Sequence, residues 1–455
     1  SNLRNISVNA ENVGNGWYKL SVIAAPAAQI NAVRAEVRST ASDAIAAAGS
    51  FVYIQDSQVE LGLAATDVIK TGSNTAQAGI LENTPRFDYS GGATCPSLLL
   101  EPSRTNVAGQ SEYQSSTIYG NQDVSIADNV AISPEGLNNA AKIILDSGDN
   151  TSNGGHSLSF SSTAGTDYTI SVFAKAGEMR YFTFTYGSSA AGGGHFDLQE
   201  GTLLGTITNG QYSNESASIE DYGNGWYRLV VSLTDDSGGG GRYLSMKPSP
   251  SATVPSNNNY ASTGDGTSGA YIYGFQLEVS ASYPTSYIPT YGSSQTRAGE
   301  ACYLQDANAH SSNAGTIFFE VGDYETNTSP SGFNKILVFN TVATSNLDNV
   351  IYFEEYGGSN TVLIRKNANS ILQSTPNYQD LRGSKIAIKW SPEGAKMFIN
   401  GVLNRTYTGD ASLDIQYFGF DNPYNGDIVS TIKMKQLLGF PTALSDTELI
   451  KLTTI

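Results

Sequence analysis

The sequence predicts a nearly all-β chain built from sandwiches, and three observations predict it. Apolar and polar residues alternate with a period of two through short stretches such as Tyr168-Thr-Ile-Ser-Val-Phe-Ala-Lys, Tyr181-Phe-Thr-Phe-Thr-Tyr and Tyr227-Arg-Leu-Val-Val-Ser-Leu, the pattern of half-buried strands. Charged residues make up only 15% of the 455 residues, while 47 glycines and abundant Ser, Thr and Asn supply turns between short strands. A tryptophan-centred motif also occurs twice, as Gly-Asn-Gly-Trp-Tyr-Lys-Leu around Trp17 and Gly-Asn-Gly-Trp-Tyr-Arg-Leu around Trp226.

The repeat extends further. Tyr53-Ile54 through Gln58 and Glu60 matches Tyr271-Ile272 through Gln276 and Glu278, and Ser1-Asn2 matches Ser213-Asn214, so the first copy begins where the second is about half complete. Ser1 is not an initiator methionine, which predicts a processed product or a piece of a longer polypeptide. Residues 24 to 48 have the propensity of a helix. The aligned part of the second copy is Gly-rich and then reads Arg242-Tyr-Leu-Ser-Met-Lys, so Val33 to Val37 is expected as a strand, with at most a helical turn near Ala46. Two apolar runs flank Gly91-Gly92 and predict a hairpin. From Cys302 onward Thr316–Val321, Lys335–Phe339, Val350–Phe353, Lys385–Trp390, Lys396–Gly401 and Thr431–Lys435 predict strands at sandwich-like spacing. Ser445-Asp-Thr-Glu448 is a capping box that opens a short helix over Glu448 to Leu452.

Charge and cysteine content exclude several classes. The formal charge of −17 repels phosphate backbones and anionic headgroups, which argues against nucleic acid as a partner. No apolar run reaches the ~18 residues of a membrane-spanning helix, so membrane insertion is not expected. Cys95 and Cys302 are too few for a disulfide framework and read as buried thiols of a protein assembled in a reducing cytoplasm, with pairing left open.

Candidate chemistry is sparse. His156, His195 and His310 lack the spacing of a zinc site or a triad, and the glycines before His156 and His195 suggest turn or strand-edge positions. Gly264-Asp-Gly-Thr-Ser-Gly269 has a dinucleotide-type glycine spacing but precedes a strand instead of a helix, so it reads as a tight loop. Glu320, Asp323 and Glu325 would suit an acid and base pair. Alternation places Glu320 opposite the other two, and a strand end at Gly322 makes all three rim charges. No catalytic residue and no cofactor is assigned. Calcium is the one cation considered, through Asp146, Asp149 and Asn150 or through Asp235 and Asp236. The 26 tyrosines offer flat faces beside hydrogen-bonding groups, as sugars require. Trp17, Trp226 and Trp390 read as core, whereas Tyr119, Tyr260, Tyr291, Tyr356, Tyr378 and Tyr424 lie in loop-like contexts and are the candidate glycan contacts.

Several segments resemble a family of tailed-bacteriophage proteins. They are Pro85-Arg-Phe-Asp-Tyr, Leu98-Leu-Leu-Glu-Pro-Ser-Arg-Thr-Asn106, the Gly-Asn-Gly-Trp-Tyr-Arg motif, Tyr271-Ile-Tyr-Gly-Phe-Gln-Leu-Glu and Tyr283-Pro-Thr-Ser-Tyr-Ile-Pro-Thr290. Ile399-Asn-Gly-Val-Leu403 and Leu444-Ser-Asp-Thr-Glu-Leu-Ile-Lys-Leu-Thr resemble a laminin-G or concanavalin-like domain. The resemblance implies tandem jelly-roll β-sandwiches followed by a concanavalin/laminin-G-like sandwich. The implied units are a partial jelly roll at 1–83, a hairpin connector at 84–108, a complete carbohydrate-binding-module-like jelly roll at 109–300 and the last sandwich at 301–455. It also implies a virion structural protein of head spikes, head fibres or tail fibres, exposed on the virion, homotrimeric, and contacting other virion proteins and host surface polysaccharide. The Glu-x-Asp-x-x-Glu strand of concanavalin-like glycosidases is absent. The expected function is therefore non-catalytic adhesion, with a polysaccharide depolymerase or lyase and a purely structural decoration protein as alternatives.

Overall fold

The computed structural model describes residues 3–26, 51–59, 68–69, 85–89, 94–150, 155–187, 191–256, 262–300, 302–305, 313–326, 334–341, 347–356, 359–376, 379–420 and 430–454. The expected strand at Val33 to Val37, the turn near Ala46 and His310 lie outside these residues.

The all-β expectation is borne out. Residues of the middle of the chain form two facing sheets. One has six strands in the order Thr202–Ile207, Ala191–Asp197, Tyr181–Gly187, Gly240–Ser249, Gly155–Ser162 and Tyr119–Gln122. The other runs Tyr212–Asp221, Trp226–Asp235, Thr166–Ala176, Gly269–Val279, Arg104–Asn106 and Gln295–Arg297, with Val124–Ala131 and Ala140–Leu145 attached beside Gly269–Val279. Alternation explains the packing. Tyr168, Ile170, Val172 and Ala174 enter the core between the sheets with Phe182, Phe184, Phe196, Leu229, Leu244 and Phe275, all buried. Phe173, on the other face of the same strand, packs instead with Trp226, Tyr273 and Ala140. Each fully buried aliphatic or aromatic side chain contributes about 1.5–3 kcal/mol, so the two inward faces supply most of the stability.

The C-terminal residues form a second sandwich. Its six-stranded sheet is Tyr303–Gln305, Tyr417–Phe420, Asn334–Asn340, Val350–Tyr356, Ser359–Lys366 and Asn369–Gln373. Its seven-stranded sheet is Val402–Tyr407, Gly394–Ile399, Lys385–Ser391, Gly315–Thr326, Ser430–Phe440, Ser97–Leu100 and Arg86–Asp88. Trp390 is wholly buried in this core and its indole N–H donates to the Leu413 carbonyl at 2.9 Å. The helix Asp446–Thr453 carries the expected capping box on Ser445 and Glu448 and seats Leu449 against Phe318, Ala387 and Phe398 on the outer sheet face. Among the described residues no helix is long and apolar enough to cross a membrane.

The segment from Arg86 to Asn106 serves both sandwiches. Arg86–Asp88 and Ser97–Leu100 form a hairpin whose second strand joins the C-terminal sheet against Ser430–Phe440. Four residues beyond Leu100, Arg104–Asn106 begins and pairs with Gly269–Val279 and Gln295–Arg297 of the middle sandwich.

The repeat is visible as two hairpins with one geometry. Leu3–Gly14 pairs with Trp17–Pro26 as Tyr212–Asp221 pairs with Trp226–Asp235, and Asn12↔Tyr18 and Ala10↔Leu20 correspond to Asp221↔Tyr227 and Ile219↔Leu229. Both turns place Gly-Asn-Gly at positive φ, 94°, 52° and 80° in the first and 78°, 53° and 77° in the second. Glycine and asparagine tolerate that region best. An Asn12 or Asp221 side chain caps each turn by accepting from the N–H two residues on, at 2.9 and 2.7 Å.

Four expectations are corrected. Trp226 is buried but Trp17 is 42% exposed: among the described residues the first hairpin pairs with no further strand, whereas Trp226–Asp235 also pairs with Thr166–Ala176. His156 and His195 are buried inside strands rather than at turns. The strand through Glu320 does not end at Gly322 but continues to Thr326 through a bulge. That extra residue resets the alternation, so Val321 and Tyr324 both enter the core. Glu320, Asp323 and Glu325 consequently share the outer face. Cys95 is exposed and Cys302 half-buried, and both are free thiols.

Candidate functional site

Of the candidate tyrosines, Tyr119, Tyr291 and Tyr356 lie among the described residues, and these three do not share one site. Tyr119 is a core residue: its ring lies 4.4 Å from the His156 ring, its hydroxyl donates to the Gln110 carbonyl at 2.5 Å, and no ring face reaches solvent. Tyr291 is part-exposed, with its hydroxyl donating to Glu112 at 3.0 Å. Tyr273 donates to the same Glu112 oxygen at 3.1 Å, and burial with Glu135 nearby pushes that carboxyl above the usual range. Tyr356 ends the strand Val350–Tyr356 in the other sandwich. Tyr260, Tyr378 and Tyr424 lie outside the described residues.

Three of the candidate acids and cation ligands, Glu320, Asp323 and Asp235, are engaged with protein partners. Glu320 pairs with Lys435 at 3.2 Å and Asp323 with Arg382 at 3.0 Å. Asp235 is buried and accepts from Arg242 at 3.0 Å, Tyr186 at 2.8 Å and the Ser237 hydroxyl. Burial alone would raise its carboxyl, yet the hydrogen bonds from Ser237, Ser162, Arg242 and Tyr186 hold it well below the ordinary range. It therefore neutralises an arginine inside the fold and is not a solvated loop carboxylate. Among the described residues no group of three or more His, Cys, Asp or Glu gathers to hold a metal.

The two histidines are scaffold. His195 accepts from or donates to Thr183 through Nδ1 at 2.9 Å, and its Nε2–H donates to the Ser251 carbonyl at 2.9 Å. The carbonyl can only accept, which fixes the tautomer and makes Thr183 the donor to Nδ1. His156 contacts Asn121 through Nδ1 at 2.7 Å and Gln114 through Nε2 at 3.0 Å. Burial pushes its imidazole down to about 3.

The motifs that carry the sequence resemblance also form scaffold. Asn106 is wholly buried, donates to the Phe275 and Ile288 carbonyls at 3.1 and 2.9 Å, and accepts from the Ala108 and Leu277 N–H groups. Gln276 accepts from the Ile288 N–H at 2.7 Å, and Glu278 accepts from the Thr285 hydroxyl at 2.6 Å. At the junction of the sandwiches Glu101 receives Arg86 at 2.6 Å, Arg297 at 3.0 Å and the Ser286 N–H at 2.7 Å. Glu300 completes the knot through Arg86 at 2.5 Å and the Glu101 N–H. Burial alone would raise the Glu101 carboxyl, but Arg297, Arg86 and the Ser286 N–H take it below its ordinary value.

A shallow, open groove of about 410 Å³ lies on the middle sandwich. Its walls are the segment Glu178 to Tyr181, the segment Ser249-Pro250 and the loop that carries Thr263, Gly264, Asp265 and Ser268. Close packing places the loop: a Cβ on Gly264 would lie 2.1 Å from the Asp146 carbonyl oxygen, and one on Gly269 1.9 Å from that of Ile143. Glycine is obligatory at both positions, which accounts for the false dinucleotide spacing. Asp265 folds the loop by accepting from the Thr267 and Ser268 N–H groups at 2.8 and 2.6 Å.

Polar atoms in the groove are held firmly. Arg180 forks onto Asp197 at 2.7 and 2.5 Å, and its guanidinium lies 5.5 Å from the Tyr181 ring centre. Tyr181 in turn stacks at 6.2 Å on the buried His195. Glu178 pairs with Lys142 at 2.7 Å and accepts from the Gly269 N–H at 3.1 Å. Hydrogen bonds from Lys142, Arg180 and Ser268 respectively hold the Glu178, Asp197 and Asp265 carboxyls below their ordinary values. The groove thus brings the Tyr181 ring together with Arg180, the ionised Glu178 and Asp265 carboxylates and the hydroxyls of Ser249, Thr263 and Ser268. Sugars are held by that combination of a stacking face and fixed polar atoms. Tyr181 was read from sequence only as the start of a strand. The signal that marks it is its position at a strand end, next to Arg180.

No family model matches this sequence, and no curated protein matches it. Similar solved structures include the Ruminococcus gnavus IT-sialidase CBM40 bound to α2,3-sialyllactose, 18% identical over 34% of this chain and 94% of that one with a TM-score of 0.24. A heptameric SAP-like pentraxin from Limulus polyphemus is 15% identical over 33% of this chain and 75% of that one, with a TM-score of 0.25. The botulinum neurotoxin type G receptor-binding domain is 15% identical over 33% of this chain and 40% of that one, with a TM-score of 0.24.

Proposed function

We propose that this chain is a non-enzymatic subunit of a surface fibre or spike of a tailed-phage virion, and that its middle sandwich holds host surface glycan weakly. The supporting observation is the groove at Arg180 and Tyr181, where an aromatic face is fixed between a paired arginine and a buried histidine. The sequence resemblance supplies the virion setting and the homotrimer. A single shallow site of this kind binds weakly, and avidity is the mechanism: copies held together on one particle raise the effective concentration at the next site and strengthen attachment by about 10²- to 10⁴-fold. The negative charge opposes indiscriminate sticking to anionic envelopes and leaves selection to the shape of the groove.

The test is retention of the purified chain on immobilised bacterial surface polysaccharide, with Tyr181→Ala and Arg180→Ala as comparisons. Retention that falls at least fivefold in both variants, with unchanged thermal unfolding, is expected. Equal retention of all three proteins would move binding away from this groove.

A further inference from the structure

We infer that the groove at Arg180 and Tyr181 selects sugars without acidic groups, neutral or amine-bearing, and that the Asp265 carboxylate sets this preference. The inference rests on the reading of the groove as a glycan site and concerns which glycans enter it. An arginine beside a tyrosine ring is by itself an attractive seat for the carboxylate of an acidic sugar. In this groove the arginine is already engaged. Its Nε–H forks onto both Asp197 oxygens at 2.7 and 2.8 Å, and Nη2 donates to Asp197 at 2.5 Å and lies 3.3 Å from Glu200. An incoming carboxylate would have to compete with two that are part of the fold.

A second cation is engaged in the same way. Lys142 pairs with Glu178 at 2.7 Å and donates to the Thr267 carbonyl at 3.0 Å. Taken with their partners, the charged side chains of the groove are Glu178, Asp197, Glu200 and Asp265 against Arg180 and Lys142, a local charge of −2. Hydrogen bonds hold the Glu178, Asp197 and Asp265 carboxyls below their ordinary values, so that charge is present at neutral pH. A concave surface lined by one sign of charge concentrates its field on whatever enters, and repulsion of the wrong ligand is as effective a source of selectivity as attraction of the right one.

Asp265 differs from the other three carboxylates. Its partners among the described residues belong to its own loop: Oδ1 accepts from the Thr267 and Ser268 N–H groups at 2.8 and 2.6 Å and from the Thr267 hydroxyl at 3.0 Å, and Oδ2 accepts from the Ser268 hydroxyl at 2.6 Å. Three donors saturate Oδ1, whereas Oδ2 has one donor and room for a second. The side chain is exposed and lines the groove on a loop fixed by the close approach of Gly264 and Gly269. A sugar hydroxyl or a protonated amine can donate to Oδ2. A sugar carboxylate cannot, and is repelled.

The experiment measures the affinity of the full chain, by calorimetric titration at low salt and pH 6, for three hexasaccharides of one β-1,4-linked glucose backbone. Cellohexaose is neutral, hexaglucosamine carries an amine at each C2, and cellohexauronate carries a carboxylate at each C6. The expected result is that hexaglucosamine binds at least as tightly as cellohexaose, and both at least tenfold more tightly than cellohexauronate. Asp265→Asn, whose amide oxygen can still accept from the Thr267 and Ser268 N–H groups, should narrow the interval between hexaglucosamine and cellohexauronate at least fivefold. Glu200→Gln alters a side chain 60% exposed and should narrow it in the same direction, which guards against a loop that Asp265→Asn distorts. Glu393→Gln removes the same charge from an exposed turn of the other sandwich and should leave the interval unchanged, which separates the groove from the net charge of the chain. Tightest binding of cellohexauronate overturns the inference, as does an interval that neither groove variant narrows or that Glu393→Gln narrows equally. Failure of all three hexasaccharides to bind overturns it too. The reading of the groove as a glycan site falls separately, only when retention on bacterial surface polysaccharide ignores Tyr181.

Discussion

His156 shows how one buried residue sets a pH response. In the unfolded chain its imidazole titrates near 6.5, but burial lowers it to about 3 in the fold. The unfolded state therefore takes up the proton first. The stability contributed is complete above pH 6.5 and is lost as the pH falls toward about 3, amounting to about 2 kcal/mol by pH 5. Urea unfolding of His156→Gln at pH 7 and pH 5 should show that slope reduced by about one proton; an unchanged slope would place the titration elsewhere. Glu101 acts in the same direction from a different cause. Its carboxyl is held down by Arg297 and Arg86, so its contribution is present above the ordinary glutamate range and is lost below it. Glu101→Gln removes the ion-pair partner of the largely buried Arg297 guanidinium, while Arg86 keeps Glu300, and should destabilise the chain by about 3 kcal/mol, measurable as a shift of the denaturant midpoint.

At the scale of elements, the two hairpins separate what a local sequence encodes from what tertiary surroundings decide. The Gly-Asn-Gly-Trp-Tyr motif was sufficient to identify both turns, because positive φ and the side-chain cap are local properties. Tryptophan burial was not legible, since Trp17 and Trp226 share their neighbours in sequence but not in space. Trp226 donates to the Ile132 carbonyl at 3.0 Å inside a packed cluster. Trp226→Ala should cost about 3–5 kcal/mol, whereas Trp17→Ala should stay within about 0.5 kcal/mol in thermal or urea unfolding. Comparable losses in both would mean that the first hairpin is covered. The bulge at Gly322 was also invisible to simple alternation, and it reversed the expected face of Glu320 relative to Asp323 and Glu325. The groove escaped notice for a related reason: the neighbours Arg180 and Tyr181 are separated from Asp265 by many residues, and the two segments converge only because glycines at 264 and 269 let the loop approach. Tyr119, chosen for its loop-like context, is core because Tyr119–Gln122 pairs with Gly155–Ser162.

For the whole molecule, the polar motifs between Arg86 and Asn106 act as a clamp. Ser97–Leu100 extends one sandwich, Arg104–Asn106 extends the other, and the Arg86–Glu101–Arg297 knot lies between them. Loosening the clamp should uncouple the sandwiches: calorimetry of Glu101→Gln should resolve two unfolding transitions separated further than in the wild type, and a single transition shifted as a whole would instead assign the knot to one sandwich. The central claim concerns adhesion through the Tyr181 groove without cleavage. Its most direct measurement is a pull-down of wild-type and Tyr181→Ala chains on intact host cells and extracted envelope polysaccharide, with the chain length of the recovered glycan read in the same assay. Binding by the wild type, loss in the variant and unchanged glycan length are predicted; shortened glycan, or binding that ignores Tyr181, would contradict the account.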